Sequence, residues 1–163
     1  MRGFRFRKVL GDDLLASELY NNETFYKAFL NDLRCAQHEV IIESPFITSR
    51  RMSALYPAIQ DLIDHGVRIA VNTRNPIEHE NDVLKVQAEI AIVKLQSMGV
   101  QVLFTAGHHR KLGIIDRTVL WEGSLNILSQ NDSAEIMRRI ASQQLAEQMV
   151  RFLRLDKFCK WYS

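Results

Sequence analysis

Five residue types in one short segment could do chemistry together. His109 is followed by one residue and Lys111, then four residues and Asp116, then six residues and Gly123-Ser124-Leu125-Asn126. Side chains two apart on a strand share a face, about 7 Å from one another. His109 and Lys111 therefore point the same way, and so do Ser124 and Asn126 if that segment is extended. Gly123 lets the backbone approach a neighbour or ligand closely. Asp116-Arg117 is a turn-favouring pair, so two short strands can fold back as a hairpin and bring both polar pairs together. An imidazole, an ammonium, a hydroxyl and a carboxamide on one patch suit a tetrahedral oxyanion. Lysine neutralises charge, serine and asparagine donate to nonbridging oxygens, and histidine attacks phosphorus or donates a proton. No carboxylate cluster sits beside them to hold a divalent ion. The pattern favours phosphoryl transfer with a histidine nucleophile, and no metal or cofactor is expected.

The string HRKLGIIDRTVLWEGSLN matches H-x-K-x4-D-x6-G-S-x-N at every fixed position and so resembles the phospholipase D superfamily. The resemblance spans about residues 20–160. It is closest to the small one-motif members, typically endonucleases or phosphodiesterases. It implies that His109 attacks phosphorus to give a phosphohistidine, with Lys111 and Asn126 clamping the phosphate and Ser124 assisting. Asp116 takes a structural or electrostatic role. Glu135 is the candidate acceptor for the His109 ring N–H, with Asp132 as its rival. Family members protonate the leaving oxygen with a second motif histidine, and this chain holds one motif. His108 is adjacent, but strand parity turns it to the opposite face and suggests a solvated turn residue. The expectation is a two-fold homodimer in which His109 of each chain faces the other.

The elements that must position these residues follow from periodicity. Phe25, Ala28, Phe29, Leu33 and Ala36 recur at helical spacing after Asn22, a plausible N-cap. Glu39–Glu43 reads as a buried strand stopped by Ser44-Pro45. A helix follows Ser49 and ends at Gly66, with Pro57 expected in its first turn or at a kink. Val67–Val71 is a strand, Asp82–Met98 a helix, and Val100–Phe104 a strand. Short strands then follow at Lys111–Ile115, Thr118–Trp121 and Ala134–Ile140, and a final helix over about Ser142–Trp161. The repeated helix, glycine, strand rhythm indicates βαβ crossovers. The expected class is α/β: a phospholipase D-like mixed, largely parallel sheet flanked by helices, forming a single motif-bearing half.

Length and composition bound the rest. The 163 residues suit a single domain over 1–163, in which 1–19 forms an N-terminal arm or edge strand, suggested by the alternation Phe4–Arg7. There is no room for a duplicated enzyme. A formal charge of +2 does not by itself argue for nucleic acid. The cations are uneven, however: Arg2, Arg5, Arg7 and Lys8 open the chain, and Arg151, Arg154, Lys157 and Lys160 close it. Arg110, Arg117, Arg138 and Arg139 are candidates for a surface that tracks phosphates. Trp121 and Phe104 could stack on a base but fit core packing better. His79 reads as part of a polar loop, and His38 and His65 as capping cations. Cys35 and Cys159 make no disulfide framework and suit a reducing compartment. The start of the chain lacks an apolar signal region, and no stretch reaches the ~18 apolar residues of a membrane span. A cytoplasmic protein without membrane attachment is expected. The first functional expectation is a nucleic-acid phosphodiesterase, on DNA rather than RNA. The alternatives are a phospholipid phosphodiesterase or transphosphatidylase, and a non-catalytic DNA-binding or assembly module.

Overall fold

The structure, a computed structural model, describes residues 17–129 and 133–159. Seven strands form one sheet: β1 (Ser17–Asn21), β2 (Glu39–Glu43), β3 (Arg68–Thr73), β4 (Gln101–Phe104), β5 (Leu112–Ile115), β6 (Val119–Gly123) and β7 (Ile136–Ala141). Their order across the sheet is β1-β7-β6-β5-β2-β3-β4. Helices α1 (Phe25–Arg34), α2 (Ser49–Asp64) and α3 (Asp82–Ser97) alternate with the early strands, and α4 (Gln143–Phe152) and α5 (Leu155–Phe158) close the described chain. The mixed α/β class is the expected one. Parallel pairing is confined to β2–β3 and β3–β4, and the other neighbours are antiparallel. The parallel share is therefore smaller than the early rhythm suggests, because β5 crosses from β4 to the other side of β2, runs antiparallel to it, and is followed by antiparallel β6 and β7.

The two faces of the sheet build two cores. On one face Val40, Ile42, Val71 and Trp121 meet Phe25 and Phe29 of α1 and Met52 and Leu55 of α2. On the other, Ile41, Leu112, Ile114 and Ile140 meet Ala146 and Val150 of α4. The alternation of Val40 and Ile42 against Ile41 is the period-two pattern of a strand covered on both sides. Trp121 is fully buried, 5.2 Å from Phe25 and 6.0 Å from Phe29 between ring centres, and its Nε1 donates to Asp32 at 2.9 Å. It is a core residue and offers no face to a base.

Several local details differ from the periodic reading. The first helix is preceded by an Asn21 turn, in which Oδ1 accepts from the Glu23 and Thr24 amides at 3.1 Å, rather than by an Asn22 cap. Pro57 lies inside α2 on its exposed side, where the carbonyl its ring leaves unpaired can meet water. The single C-terminal helix divides at Arg154, whose φ of 55° stops α4 and restarts the chain as α5. Apolar spacing continues through this break, so periodicity alone does not register it. The β1 edge strand falls at residues 17–21. The Phe4–Arg7 alternation, the opening cations, Asp132 and Lys160 lie outside the described residues. Cys35 is exposed, and Cys159 is buried with its thiol pushed up to about 11 by desolvation. No helix among the described residues is long and apolar enough to cross a membrane.

Candidate active site

The motif folds as the hairpin its turn residues favour. Asp116 and Arg117 both take positive φ, 48° and 52°, and Thr118 N donates to Ile115 O at 3.0 Å, closing the two-residue turn between β5 and β6. At the other end of this hairpin Gly123 N donates to Lys111 O at 3.3 Å. The two motif halves therefore lie side by side. Gly123 must be glycine because a Cβ there would sit 2.2 Å from Ile136 O. The close neighbour is strand β7, and this contact brings Ser124 against Ile136: Ser124 N donates to Ile136 O at 2.9 Å, and Ser124 Oγ accepts from Ile136 N at 3.1 Å.

His109 precedes β5 in an exposed loop that Gly107 opens with a φ of 62°. That loop is held from below by Glu78, which accepts from Gly107 N at 2.9 Å. Lys111 folds back so that Nζ donates to His109 O at 2.6 Å. Burial lowers the Lys111 pKa, the Arg74 charge adds to that effect, and the Glu135 carboxylate opposes it. Lysine, arginine and glutamate thus act on one another at the head of β5. Asn126 is buried, and its Oδ1 has no hydrogen-bond partner among the described residues. Its backbone is fixed by Tyr26, whose hydroxyl donates to the carbonyls of Asn126 and Ile127 at 3.0 and 3.1 Å. Glu135 receives the Ser133 hydroxyl at 3.0 Å rather than the His109 ring.

Arg74 is the site residue that spacing did not reveal. It follows β3, and its Nε donates to His108 O at 2.8 Å while an Nη contacts His109 Nε2. A guanidinium only donates, so the Nε2 it meets presents a lone pair. A cation after the C-terminal end of a buried parallel strand was the available signal, since such ends are where open α/β sheets bind ligands.

Other expected site residues lie elsewhere or are engaged. Asp116 sits at the far end of β5 and accepts the backbone amides of Gln37, His38 and Glu39 at 2.8, 2.8 and 2.9 Å. Arg117 is beside it, ion-paired to Glu39 at 2.7 Å. Arg110 is at the right end of the hairpin but grips buried Glu43 with both arms of its guanidinium. Arg139 is paired with Asp32 at 2.6 Å, which ties β7 to α1. Arg138 bonds Ser17 Oγ at 2.6 Å and, with Arg110 and Lys111, lines an open groove of about 490 Å³. Glu122 and the apolar side chains of Leu19, Ile136, Met149 and Phe152 line it too.

His108 corrects the solvated-turn expectation. It is 2% exposed, neither ring nitrogen has a hydrogen-bond partner among the described residues, and burial pushes its pKa down to about 4 against the opposing pull of Glu43. Residues 108–111 precede β5 and are not in a strand, so strand parity does not apply there; the buried ring lies within reach of the charges of Glu43, Arg110, Lys111 and Arg74. His79 is also buried, 5.4 Å from the Phe46 ring, while His65 does bond a helix carbonyl, Asp61 O, at 2.6 Å. Phe104 is exposed, unlike Trp121. Among the described residues no three His, Cys, Asp or Glu side chains form a cluster able to hold a metal ion.

Comparison with known proteins follows the same lines. NucT from Helicobacter pylori superposes with a TM-score of 0.69 at 15% identity, covering 88% of this chain and 96% of that one. Nuc from Salmonella typhimurium, a phospholipase D family member, gives 0.69 and 15%, with 88% and 94% covered. TrmBL2, an archaeal chromatin protein described as showing a novel mode of DNA binding, gives 0.56 and 13%, with 90% and 52% covered. These likenesses concern the fold. No curated relative matches the chain by sequence. The model of the family described as "Cardiolipin synthase, PLD-like domain" matches residues 29–156, a range holding His109, Lys111, Asp116, Ser124 and Asn126, and the chain belongs to that phospholipase D-like family.

Proposed function

We propose that the protein is a metal-independent phosphodiesterase that cleaves nucleic acid through a phosphohistidine. The observation that carries this reading is His109: exposed, its Nε2 lone pair outward against Arg74, beside Lys111 at the junction of the two motif halves. A phosphodiester entering here draws Lys111 Nζ, the Arg74 guanidinium and the Asn126 amide onto its nonbridging oxygens, which gain charge as the fifth bond forms. His109 Nε2 attacks phosphorus, the P–N bond forms, and the P–O bond to the leaving nucleoside breaks. That oxygen takes a proton from the His109 imidazolium of a second copy, whose Nε2 is protonated once its own Arg74 has turned to the phosphate. Water then attacks the phosphohistidine and gives its proton to the second histidine, which restores both rings. Ser124 and Glu135 border the phosphate, and Asp116 fixes the hairpin. The motif occurs once in these 163 residues, and the second histidine of the proposed site is supplied by another copy in a homodimer. The TrmBL2 likeness and the cations Lys111, Arg74 and Arg138 support a nucleic-acid backbone as substrate.

The test is incubation with single- and double-stranded DNA and RNA in excess EDTA, beside His109→Ala. Cleavage that survives EDTA and disappears in the variant is expected; cleavage abolished by EDTA overturns the mechanism. The groove lined by Arg110, Lys111 and Arg138 together with Leu19, Ile136 and Phe152 favours a second reading, a phosphodiester with an apolar substituent. Headgroup release from phospholipid vesicles, with no nucleic acid cut, would decide for that reading.

A further inference from the structure

Helix α3 is apolar on two opposite sides. Ala88, Ala91 and Leu95 face inward and are buried. Val83, Val86, Ile90 and Val93 stand on the outer side, 51–65% exposed. Their spacing of three, four and three residues is that of the a and d positions of a coiled coil, and every one is β-branched. At about 100° per residue they occupy an arc of roughly 80°, about opposite the buried side. An exposed, continuous aliphatic stripe of this kind marks a surface that is covered in use.

The flanks of the stripe indicate what covers it. Asp82 and Glu89 lie along one border; along the other, Gln87 accepts from Ser49 N at 2.9 Å and the Lys94 ammonium rests 3.9 Å from the Tyr56 ring centre, on the α2 side of the stripe, from which the lysine must swing to meet a partner. Two copies of α3 packed in parallel set each acidic border against the partner's lysine border, Glu89 against the partner's Lys94. Antiparallel packing sets acidic border on acidic border. The parallel arrangement also has a consequence for the site. The N-terminal end of α3 adjoins Glu78, which holds Gly107, two residues before His109. Parallel pairing brings both His109 loops to one end of the helix pair, whereas antiparallel pairing separates them by about the 24 Å length of a sixteen-residue helix.

We infer that the outer face of α3 is the contact between two copies of this chain, packed in parallel about a two-fold axis along the Val83–Val93 stripe. This rests on the proposed shared site, whose second histidine comes from another copy.

Sedimentation velocity at micromolar concentration tests it with three proteins. The native chain is expected to be a dimer. Val86→Lys combined with Ile90→Lys is expected to raise the dimer dissociation constant about 100-fold or more and to abolish cleavage, with an unchanged circular dichroism spectrum, since both side chains are exposed. Val93→Cys, in a Cys35→Ser background, is expected to cross-link to itself on mild oxidation, because parallel packing sets position 93 opposite its own copy. A lysine variant that remains dimeric overturns the inference and leaves the shared site standing. A dimer that cross-links only when Val83→Cys and Val93→Cys are combined overturns the parallel arrangement. A fully active native monomer overturns the inference together with the shared site. Cleavage retained by His109→Ala removes the phosphohistidine reading alone, and the oligomeric measurements then still decide the contact.

Discussion

Arg74 and His109, thirty-five positions apart in the chain, meet at the head of β5 with a guanidinium Nη against the imidazole Nε2. The same arginine holds the loop through His108 O at 2.8 Å. It therefore ties the His109 ring and the loop that carries it to the end of β3, and under the proposed function it is the donor expected to pass to the phosphate.

Arg74→Ala should lower kcat/KM about 100-fold, the cost of losing one pre-placed donor to a developing oxyanion. Arg74→Lys should recover part of this, since the charge returns without the planar fork. Steady-state and single-turnover rates on one oligonucleotide measure both effects. Equal activity in all three proteins would remove Arg74 from the site.

Asp116 is expected to separate stability from chemistry. Asp116→Ala leaves three backbone amides at residues 37–39 without their acceptor and should cost about 3 kcal/mol of unfolding free energy. Because that carboxylate is at the far end of β5, the folded fraction should cleave at near-native kcat. Denaturant titration paired with active-site counting checks this, and a large fall in kcat per folded molecule would place Asp116 in the reaction.

Gly123→Ala should destabilise by about 3 kcal/mol, because its Cβ would meet the carbonyl of Ile136 and the Cα of Met137 at 2.2 and 2.9 Å, both backbone. Gly113→Ala is the matched control. Its nearest neighbour is the edge of the Phe29 ring at 3.1 Å, a side chain able to shift, so a cost nearer 1 kcal/mol is expected. Urea midpoints of the two variants at equal m-value make the comparison; equal losses would contradict the close approach of β6 to β7.

His108 predicts an acid-sensitive fold. Its native pKa of about 4 lies below the ordinary histidine value of 6.5, so between these the unfolded chain binds a proton that the folded chain does not. Stability should be level above pH 6.5, fall as the pH drops toward 4 by an amount on the order of 3 kcal/mol, and lose this dependence below that. Replacing His108 with Gln should flatten the slope across that window. A native chain with constant stability from pH 7 to pH 4 would contradict the buried neutral ring.

The sequence made local features legible. Strand β2 was read over its observed range, Glu39–Glu43, because Val-Ile-Ile between polar residues has no other economical arrangement. The hairpin turn at Asp116-Arg117 and the need for a bare Cα at Gly123 were also readable, since both are short-range. What escaped was partner choice. Arg110, Arg117 and Arg139 look alike in the chain, yet each finds a carboxylate from a distant element: Glu43, Glu39 and Asp32. Arg74 and buried His108 acquire their surroundings only when β3 and β5 flank β2. Helical periodicity likewise continues through Arg154, where one positive φ ends the helix.

The β2–β5 pair, which joins Ile41 to Ile114, stands near the middle of the sheet. Strand β7 then closes over Gly123 and pairs outward with β1. During synthesis on the ribosome, the early βαβ units can collapse while the later strands are still inside the exit tunnel. The motif hairpin has its inner neighbour waiting when it emerges, but Ser124 gains its Ile136 partner only after β7 has followed. A chain that ends before Ile136 is thus expected to leave Ser124 without its strand partner, so the second half of the motif is ordered only once β7 is in place.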